Sequence, residues 1–471
     1  MPAGLALPEP RIEDGAAPAG GDGRRGTALP RTLQHPARLV PLAFLLAIAL
    51  GTGLLMLPAS RAGEGAAPFL TALFTATSAV CVTGLVVVDT PTYWSGFGQG
   101  VILALIQVGG FGIMTGATLL GFLAAGRLRL STRLIAQAET RCLELGDVVG
   151  VLKLVLLATA AVELATAAVL VLRLRLAYGE AWAAATWNGV FQAVSAFNNA
   201  GFATYSDSLT GFALDPFVLG PIMAAVVLGG VGFPVLHDLR RNGRRAERWS
   251  LHTKVTLLGT GLLLLGGTAA VLAYEWGNPA TLGPLGPGGK LLGAVFHSVM
   301  TRTAGFNAVD IGEMRPETLA VSYGLMMIGG GSAGTAGGIK VTTFLVLGLV
   351  VWAEIRGEPD ASVFGRRVPR EVQRQALTVV LLAVGLVGTA TLLLLTVSDH
   401  PLDAVLFEAV SAFATVGLST GITADVPPAG QLILVALMFF GRVGTITVAT
   451  GLALRSRQRL YRYPEERPIV G

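Results

Sequence analysis

The chain has 471 residues, of which 52% are hydrophobic and only 13% are charged, with a formal net charge of +5. Soluble domains average about 25% charged residues, so a wholly water-exposed globular protein is excluded. The basic residues lie in short loops beside apolar stretches, so membrane topology explains the positive charge better than binding to nucleic acid.

The first 36 residues are rich in Ala, Gly, Pro and Arg, and they predict a disordered cytoplasmic tail without a secretory signal peptide. Two cysteines, Cys81 and Cys142, provide neither a disulfide framework nor a metal cluster, and the five histidines have no metal-ligand spacing. No cluster of His, Cys or carboxylate residues suits acid–base or nucleophilic chemistry, so a membrane enzyme is not favoured.

Apolar stretches of about 20 residues, the length that crosses about 30 Å of hydrocarbon, recur along the chain. They predict an all-α membrane protein with eight transmembrane helices. In chain order the predicted spans are Leu39–Pro58, Gly98–Ala125, Val151–Leu172, Phe217–Leu236, Val255–Tyr274, Leu319–Trp352, Ala376–Val397 and Leu432–Leu454.

Lysine and arginine are distributed unevenly between alternate loops. Of the 34 basic residues, 26 lie in the tail up to Arg38 and in four further segments, which are Arg127–Lys153, Arg240–Lys254, Arg356–Arg374 and Arg455–Arg467. Because basic loops stay cytoplasmic, both termini are predicted to lie inside. The opposite loops are acidic and predict a negative outer vestibule that concentrates cations. These residues are Asp89, Asp207, Asp215, Asp310, Glu313, Asp399, Asp403 and Asp425.

One short phrase, a Phe followed about ten residues later by a Gly, occurs four times, each time between two predicted spans. The copies are FTATSAVCVTGL (from Phe74), FQAVSAFNNAGF (from Phe191), FHSVMTRTAGF (from Phe296) and FEAVSAFATVGL (from Phe407). This regularity predicts four helix–pore loop–helix repeats around one central cation pore. The predicted repeats are 37–125, 126–240, 241–356 and 357–455, followed by a cytoplasmic tail, 456–471.

A bare alkali cation in a membrane needs oxygen ligands, and a ring of backbone carbonyls supplies them without fixed charge. The short apolar runs before each glycine are long enough for half-helices, whose negative ends would favour a cation at the centre. Glycine permits the positive φ values that an inward-facing extended backbone needs. A small-residue run that only packs helices closely is the alternative for any single copy.

The phrases VCVTGL, FNNAGF, TRTAGFN and ATVGLS resemble the pore loops of the Trk/Ktr/HKT superfamily of potassium transporters. The resemblance covers nearly the whole chain from about Pro36 and is strongest to KtrB-type membrane subunits. It implies a selectivity filter that binds K⁺ at backbone carbonyls. The implied filter residues are Val82, Thr83, Gly84, Asn199, Ala200, Gly201, Thr303, Ala304, Gly305, Thr415, Val416 and Gly417. In related plant transporters, Ser at the first filter position accompanies Na⁺ permeation, so four glycines favour K⁺.

The third copy is one residue shorter between Phe and Gly and carries Arg302, which is usual in the family. We expect Arg302 to point behind the filter and brace the loop rather than to face the ion.

A glycine-rich segment, IGGGSAGTAGGIKVTT, interrupts the sixth predicted span. Such glycine density disfavours a helix and predicts a flexible loop at membrane depth; a packing kink is the alternative. The spacing of a phosphate-binding loop is absent, because Ile339 precedes the lysine and Val341 follows it. The segment resembles the family's intramembrane gating loop, although Ala333 stands where Pro is common. The gate residues implied are Gly329, Gly330, Gly331, Gly334, Gly337, Gly338, Lys340 and Arg442.

Arg442 lies inside the last predicted span, where a charge is costly and should face the interior or a cavity. The hypothesis is that Arg442 holds the gating loop closed, and structural pairing with loop carbonyls is the alternative. Lys340 is expected to adjust charge at the lower rim or to anchor the loop end. For Glu163, within the third predicted span, a hydrogen bond between helices is the favoured interpretation.

Together these features predict potassium uptake across the plasma (inner) membrane by the K⁺-translocating subunit of a Ktr/Trk-type system. Coupling to Na⁺ or H⁺, as in a symporter, is left open, and no covalently bound cofactor is expected. A coupled transporter of an organic solute is disfavoured, because it would show inverted repeats and polar groups for a larger ligand. The resemblance implies a homodimer on a cytosolic nucleotide-binding regulatory subunit of the KtrA/TrkA type.

Overall fold

A computed structural model of the chain describes residues 36–111, 148–444 and Glu466. The described part is helical, apart from a two-stranded antiparallel hairpin formed by β1 (Ser362–Val363) and β2 (Arg366–Arg367). The helices are α1 (Pro36–Leu55), α2 (Phe69–Val80), α3 (Thr90–Tyr93), α4 (Gly96–Gly110), α5 (Val148–Ala177), α6 (Trp182–Phe197), α7 (Pro216–Val231), α8 (Phe233–Asn242), α9 (Leu251–Glu275), α10 (Pro287–Met300), α11 (Pro316–Met327), α12 (Val341–Ile355), α13 (Arg370–Val397), α14 (Leu402–Ala414) and α15 (Pro428–Phe439). A π-helical turn, Phe440–Gly444, follows α15.

Three of the described helices are long and apolar enough to cross a bilayer: Val155–Ala177 within α5, α9, and α13. The bent pair α7 and α8 makes a fourth if it is counted as one span. These four overlap the third, fifth, seventh and fourth predicted spans. The end of the second predicted span and the end of the eighth lie outside the described residues. The total of eight spans stays a prediction.

The short helices α2, α6, α10 and α14 form the centre of the fold. The phenylalanine of each repeated phrase is at most 1% exposed, so the phrase end of each short helix is buried. The long helices instead carry outward leucines, such as Leu176 (78% exposed), Leu265 (73%) and Leu392 (67%). A hydrocarbon solvent suits such surfaces, because it removes the penalty for exposing apolar side chains. The longer helices therefore surround the four buried phrases.

Local sequence explains where several of these helices begin. The Ser95 hydroxyl accepts a hydrogen bond from the Gly98 N–H at 3.2 Å, and Ser250 caps α9 by accepting from the Thr253 N–H at 3.1 Å. The Asp215 carboxylate accepts from the Phe217 N–H at 2.9 Å, and Pro216 occupies the first position of α7. Such caps satisfy backbone donors that have no partner within the helix.

The fourth predicted span, Phe217–Leu236, is not one straight helix. The chain turns by 95° between α7 and α8. Gly232 lies at the turn with φ of +95°, and a methyl group on it would overlap the carbonyl oxygen of Ser332. The apolar pattern of the predicted span does not reveal this bend, because it continues through a position where only glycine satisfies both the backbone and the neighbour.

One predicted vestibule residue is not exposed. Asp215 is only 6% exposed, and its carboxylate accepts hydrogen bonds from Arg173 Nε at 2.8 Å and from the Tyr178 hydroxyl at 3.0 Å. Burial alone would raise the pKa of Asp215, but these donors and the Phe217 N–H lower it below its usual value. Asp215 therefore fixes the end of α5 to the start of α7 instead of presenting charge to solvent.

Candidate functional site

The four repeated phrases share one backbone conformation after their short helices end. In each phrase a non-glycine residue takes a left-handed conformation, and the glycine two positions later also has positive φ. The non-glycine residues are Val82 (φ 56°), Asn199 (59°), Thr303 (70°) and Thr415 (52°), and the glycines are Gly84 (91°), Gly201 (71°), Gly305 (72°) and Gly417 (91°). A left-handed conformation at a β-branched residue is strained, which marks Val82, Thr303 and Thr415 as constrained by their surroundings, whereas Asn199 adopts it more easily.

The four glycines lie next to one another in a closed cycle. A methyl group on Gly84 would lie 3.1 Å from the Gly201 Cα, and one on Gly201 would lie 3.0 Å from the Gly305 Cα. The series continues from Gly305 to the Gly417 Cα at 3.1 Å and closes from Gly417 to the Gly84 Cα at 3.0 Å. The order of contacts around the cycle is the order of the chain, so the phrases surround one axis.

Each glycine also contacts a backbone carbonyl of the next phrase. A methyl group on each of the four glycines would contact the carbonyl oxygen of one residue in the next phrase, the residue just before that phrase's glycine. The oxygens contacted are Ala200 O from Gly84, Ala304 O from Gly201, Val416 O from Gly305 and Thr83 O from Gly417. A ring of carbonyl oxygens at membrane depth is a set of ligands that can replace the hydration shell of an alkali cation.

Serine hydroxyl groups support three of the four phrases. The Gly84 N–H donates to Ser78 Oγ at 3.0 Å, and the Gly417 N–H donates to Ser411 Oγ at 3.1 Å. Ser195 in the second phrase instead donates its hydroxyl to the Phe202 carbonyl at 2.7 Å. Val299 occupies this position in the third phrase, which is also one residue shorter.

Shortening changes the backbone pairing of the third phrase. In the other phrases the residue before the glycine bonds five positions back, for example Thr83 N–H to Ser78 O at 2.8 Å. In the third phrase Ala304 N–H bonds four positions back, to Met300 O at 3.1 Å. The backbone of this phrase therefore follows a different path, and Arg302 lies two residues after the end of α10.

The glycine-rich segment between α11 and α12 lies against the left-handed residues of three phrases. The Thr335 hydroxyl and the Asn199 side-chain amide form a hydrogen bond of 2.9 Å. A methyl group on Gly329 would lie 3.4 Å from the Thr303 methyl, and one on Gly337 would meet the Thr415 hydroxyl. The segment thus lies next to the cycle of four glycines, on the side where the side chains of Asn199, Thr303 and Thr415 lie.

Backbone hydrogen bonds attach the same segment to α7 and close its two ends. The Gly331 N–H donates to Gly230 O at 2.8 Å, and the Thr335 N–H donates to Gly229 O at 3.1 Å. The Gly329 N–H donates to Ile339 O at 2.8 Å, which brings the two ends of the segment together. These three bonds join backbone groups only, so they do not depend on the side chains of the loop.

Three basic side chains donate to carbonyls at this segment. Arg302 Nη2 donates to Gly329 O at 2.8 Å, and Lys340 Nζ donates to Ala336 O at 2.6 Å. Arg442, in the π-helical turn, donates from Nη1 to Thr335 O at 2.5 Å and from Nη2 to Gly109 O at 2.9 Å. The guanidinium of Arg442 therefore links the loop to the end of α4. Arg302 reaches the loop rather than the carbonyl oxygens contacted by the glycines.

Ala333, where the resemblance leads us to expect Pro, has φ of +58°. Proline is locked near −65°, so this backbone conformation excludes it. The substitution therefore changes the loop's path and not only its stiffness.

A polar cluster that the sequence pattern did not predict lies behind the second phrase. Asn198 Nδ2 donates to Gln107 Oε1 at 3.0 Å and to Glu163 Oε1 at 3.1 Å. Gln107 Nε2 donates to Glu163 Oε1 at 3.1 Å. Glu163 therefore hydrogen-bonds between helices, and it also fixes the residue next to Asn199. The sequence analysis expected Glu163 to form a hydrogen bond between helices. It did not identify the partners, because Gln107 is 56 residues away in the sequence.

The sequence analysis also did not identify three close-packed glycines, one after the repeated phrase in each of three repeats. A methyl group on Gly109, Gly229 or Gly441 would overlap the carbonyl of the residue four positions before the phrase glycine. Those carbonyls belong to Val80, Phe197 and Phe413. The sequence does contain a signal for them, because each repeat has a glycine followed by a second glycine or an arginine at matched positions. These positions are Gly109–Gly110, Gly229–Gly230, Gly329–Gly330 and Gly441–Arg442. Arg442 stands where the other repeats have a second glycine.

Comparison with known proteins gives a family model described as TrkH, cation transport protein, that matches residues 27–460. The chain belongs to the TrkH family. It is 39% identical to the Ktr system potassium uptake protein B of Bacillus subtilis, over 93% of this chain and 97% of that protein. It is also 35% identical to the potassium/sodium uptake protein NtpJ of Enterococcus hirae, over the same shares of the two chains.

Among solved structures, the potassium transporter TrkH of Vibrio parahaemolyticus matches with a TM-score of 0.70. The match covers 89% of this chain and 84% of that one, at 16% identity, and supports the fold alone. The family consists of transport proteins, so the expectation that this chain is not an enzyme is confirmed.

Proposed function

We propose that this chain is the K⁺-translocating membrane subunit of a Ktr/Trk-type uptake system. The observation that carries the proposal is the closed cycle of four phrases, in which every glycine contacts a carbonyl of the next phrase. A cation that loses its water needs several oxygen ligands at once, and one carbonyl ring supplies them from a single chain. The names of the relatives from Bacillus subtilis and Enterococcus hirae agree with this cargo.

The proposed filter uses backbone oxygens of residues 82–84, 199–201, 303–305 and 415–417. The C-terminal ends of α2, α6, α10 and α14 precede these segments, and their negative dipole ends would favour a cation at the centre. Within the described residues, the hydroxyls of Thr83, Thr303 and Thr415 have no hydrogen-bond partner. These oxygens are available near the ring as further cation ligands.

The proposed gate is the segment from Gly329 to Lys340. It lies beside the ring and is attached to α7, Arg302 and Arg442 by hydrogen bonds to backbone groups. Two guanidinium groups beside the path raise the electrostatic barrier for a cation, because like charges repel strongly where little water is present. Opening then requires the Thr335 carbonyl to leave Arg442.

The remaining parts of the proposal concern assembly and topology. We propose eight spans in four repeats in the inner membrane, both termini cytoplasmic, a homodimer, and a cytosolic nucleotide-binding regulatory subunit. The term "Ktr system" in the relatives' names implies more than one component. The name of the Enterococcus relative includes sodium, which supports Na⁺ as a second transported or coupling ion.

Rubidium uptake into a host that lacks its own potassium uptake tests the proposal, with the cognate regulatory subunit co-expressed. We expect rescue of growth at low K⁺ and rubidium uptake that excess Na⁺ inhibits only weakly. Gly305→Ser should weaken this preference, because its side chain would meet Val416 O at a positive φ. Gly261→Ser, on α9 with nothing within 4 Å, is the matched control. No rubidium uptake despite normal membrane expression would refute the function.

A further inference from the structure

Five exposed arginines follow one another closely at and just after the C-terminal end of α8. This arginine surface consists of Arg240, Arg241, Arg244, Arg245 and Arg248. In the part of the chain that the structure describes, none of the five lies within 4.0 Å of a carboxylate oxygen. The acidic neighbour Glu247 is exposed and leaves a strong positive excess. The surface is therefore charged and lacks an ion-pair partner within the described chain.

The arginine surface is held in a folded loop. The Asp238 carboxylate accepts from the Ser250 N–H at 2.8 Å, from Thr253 Oγ1 at 2.6 Å and from Asn242 Nδ2 at 2.5 Å. Trp249 Nε1 donates to Gly243 O at 3.0 Å and closes the loop on itself. These bonds fix the start of α9 against α8, so the five arginines stay together on one short segment.

The orientation of α8 places this surface at the membrane boundary. Because α8 leaves α7 at 95°, it runs along the inner face if α7 crosses the bilayer. Clusters of four or more basic residues directly after a span attract anionic lipid headgroups. The planar guanidinium group also pairs with two phosphate oxygens at once. Lipid phosphate is therefore the partner whose charge, geometry and depth all fit.

The other end of α8 contacts the glycine-rich segment. The first N–H of α8, from Phe233, donates to Ala333 O at 3.3 Å. At the preceding residue, a methyl group on Gly232 would overlap Ser332 O. One rigid helix of ten residues thus joins the arginine surface to the tip of the loop. Any shift of α8 must change these contacts.

We propose that the arginine surface binds anionic phospholipid headgroups and that the bound lipid holds α8 in the position that stabilises the glycine-rich loop. Lipid occupancy then slows cation flow. Positive charge that serves topology alone has no preference among lipids once the chain is inserted. The flux part rests on the proposed function, whereas the binding part does not.

Binding is measured on the full-length protein by native mass spectrometry with phosphatidylglycerol or phosphatidylcholine added. We expect the wild type to retain phosphatidylglycerol preferentially, and Arg240→Gln/Arg241→Gln to bind it at least fivefold more weakly. The matched control is Arg370→Gln/Arg374→Gln, which removes the same charge from two exposed positions on α13. Equal retention by the wild type and Arg240→Gln/Arg241→Gln, or an equal loss in the control, overturns the proposal.

Flux is measured as rubidium influx into vesicles of phosphatidylcholine alone and of an equal mixture with phosphatidylglycerol. Vesicle charge alters the local rubidium concentration for every variant alike, so rates are compared as ratios to the wild type in the same vesicles. We expect Arg240→Gln/Arg241→Gln to exceed the wild type on the order of fivefold in the mixture and to equal it in phosphatidylcholine.

A ratio that is the same in both vesicles overturns the coupling, as does a variant slower than the wild type in the mixture. If the double variant loses only its response to an added cytosolic regulatory subunit, the surface binds a protein and the lipid proposal fails. Absence of rubidium flux from every variant refutes the proposed function instead, and the mass spectra still decide the binding.

Discussion

Arg442 is the residue whose removal should most clearly change transport. Its side chain is 6% exposed, and hydrogen bonds from its guanidinium join the glycine-rich loop at Thr335 to the end of α4 at Gly109. Hydrogen bonds to charged groups contribute about 1.5–3 kcal/mol each. The bond to Thr335 must break when the loop moves, so its loss should shift the loop equilibrium toward opening by roughly 10- to 150-fold.

The best substitution is Arg442→Gly, because Gly110, Gly230 and Gly330 occupy the matching positions in the other repeats. Initial rubidium uptake is measured in a host that lacks potassium uptake and is divided by the amount of protein in the membrane. We expect at least a tenfold increase. Arg442→Lys should be intermediate, since a single ammonium group keeps the charge but not the fork that reaches two carbonyls.

The control for lost positive charge is Arg315→Gln, since Arg315 is an exposed residue at the start of α11. It should leave uptake unchanged. Uptake equal to the wild type in Arg442→Gly, with normal membrane amount and thermal stability, would refute the reasoning that this guanidinium holds the loop.

Three further predictions concern single contacts. Ala333→Gly should stabilise the folded protein by about 1 kcal/mol, because it removes a left-handed alanine, whereas Ala333→Pro should lower the melting temperature and raise basal rubidium flux. Glu163→Leu should reduce the preference for rubidium over Na⁺ in competition uptake, because the Asn198 amide loses a carboxylate partner; unchanged selectivity would contradict this role. Burial opposes ionisation of Asp238, but donors led by Thr253 lower its pKa below the usual 3.8, so its stabilising contribution is complete above pH 3.8 and is lost as pH falls through the lower folded value. The melting temperatures of the wild type and Asp238→Asn should therefore converge in acid.

The repeated phrase could be found in the sequence because it is local. Each copy lies within a dozen residues, and its Phe and Gly recur at nearly constant spacing. The positive φ of the four glycines was expected from residue type alone, because glycine adopts it without steric penalty. The unusual third phrase was visible for the same reason, since Arg302 and the missing residue are both evident in the sequence.

What could not be predicted depends on contacts between distant segments. Nothing near Gly232 in the sequence says that Ser332, 100 residues away, excludes a side chain there. Asp215 has the sequence context of an exposed loop residue, yet Arg173 and Tyr178 bury it. Apolar periodicity predicts which face of a helix avoids water. It does not predict which distant polar residue will contact that helix.

The asymmetry of the third and fourth repeats follows from two local changes that meet at one loop. Shortening the third phrase places Arg302 beside the end of α10, from where it reaches Gly329 O. The fourth repeat replaces a close-packed glycine by Arg442, which reaches Thr335 O on the same loop. A chain with four identical repeats would have neither of these two arginines. Because each guanidinium holds a backbone carbonyl, other side chains in the loop can change without releasing it, which is consistent with alanine at position 333.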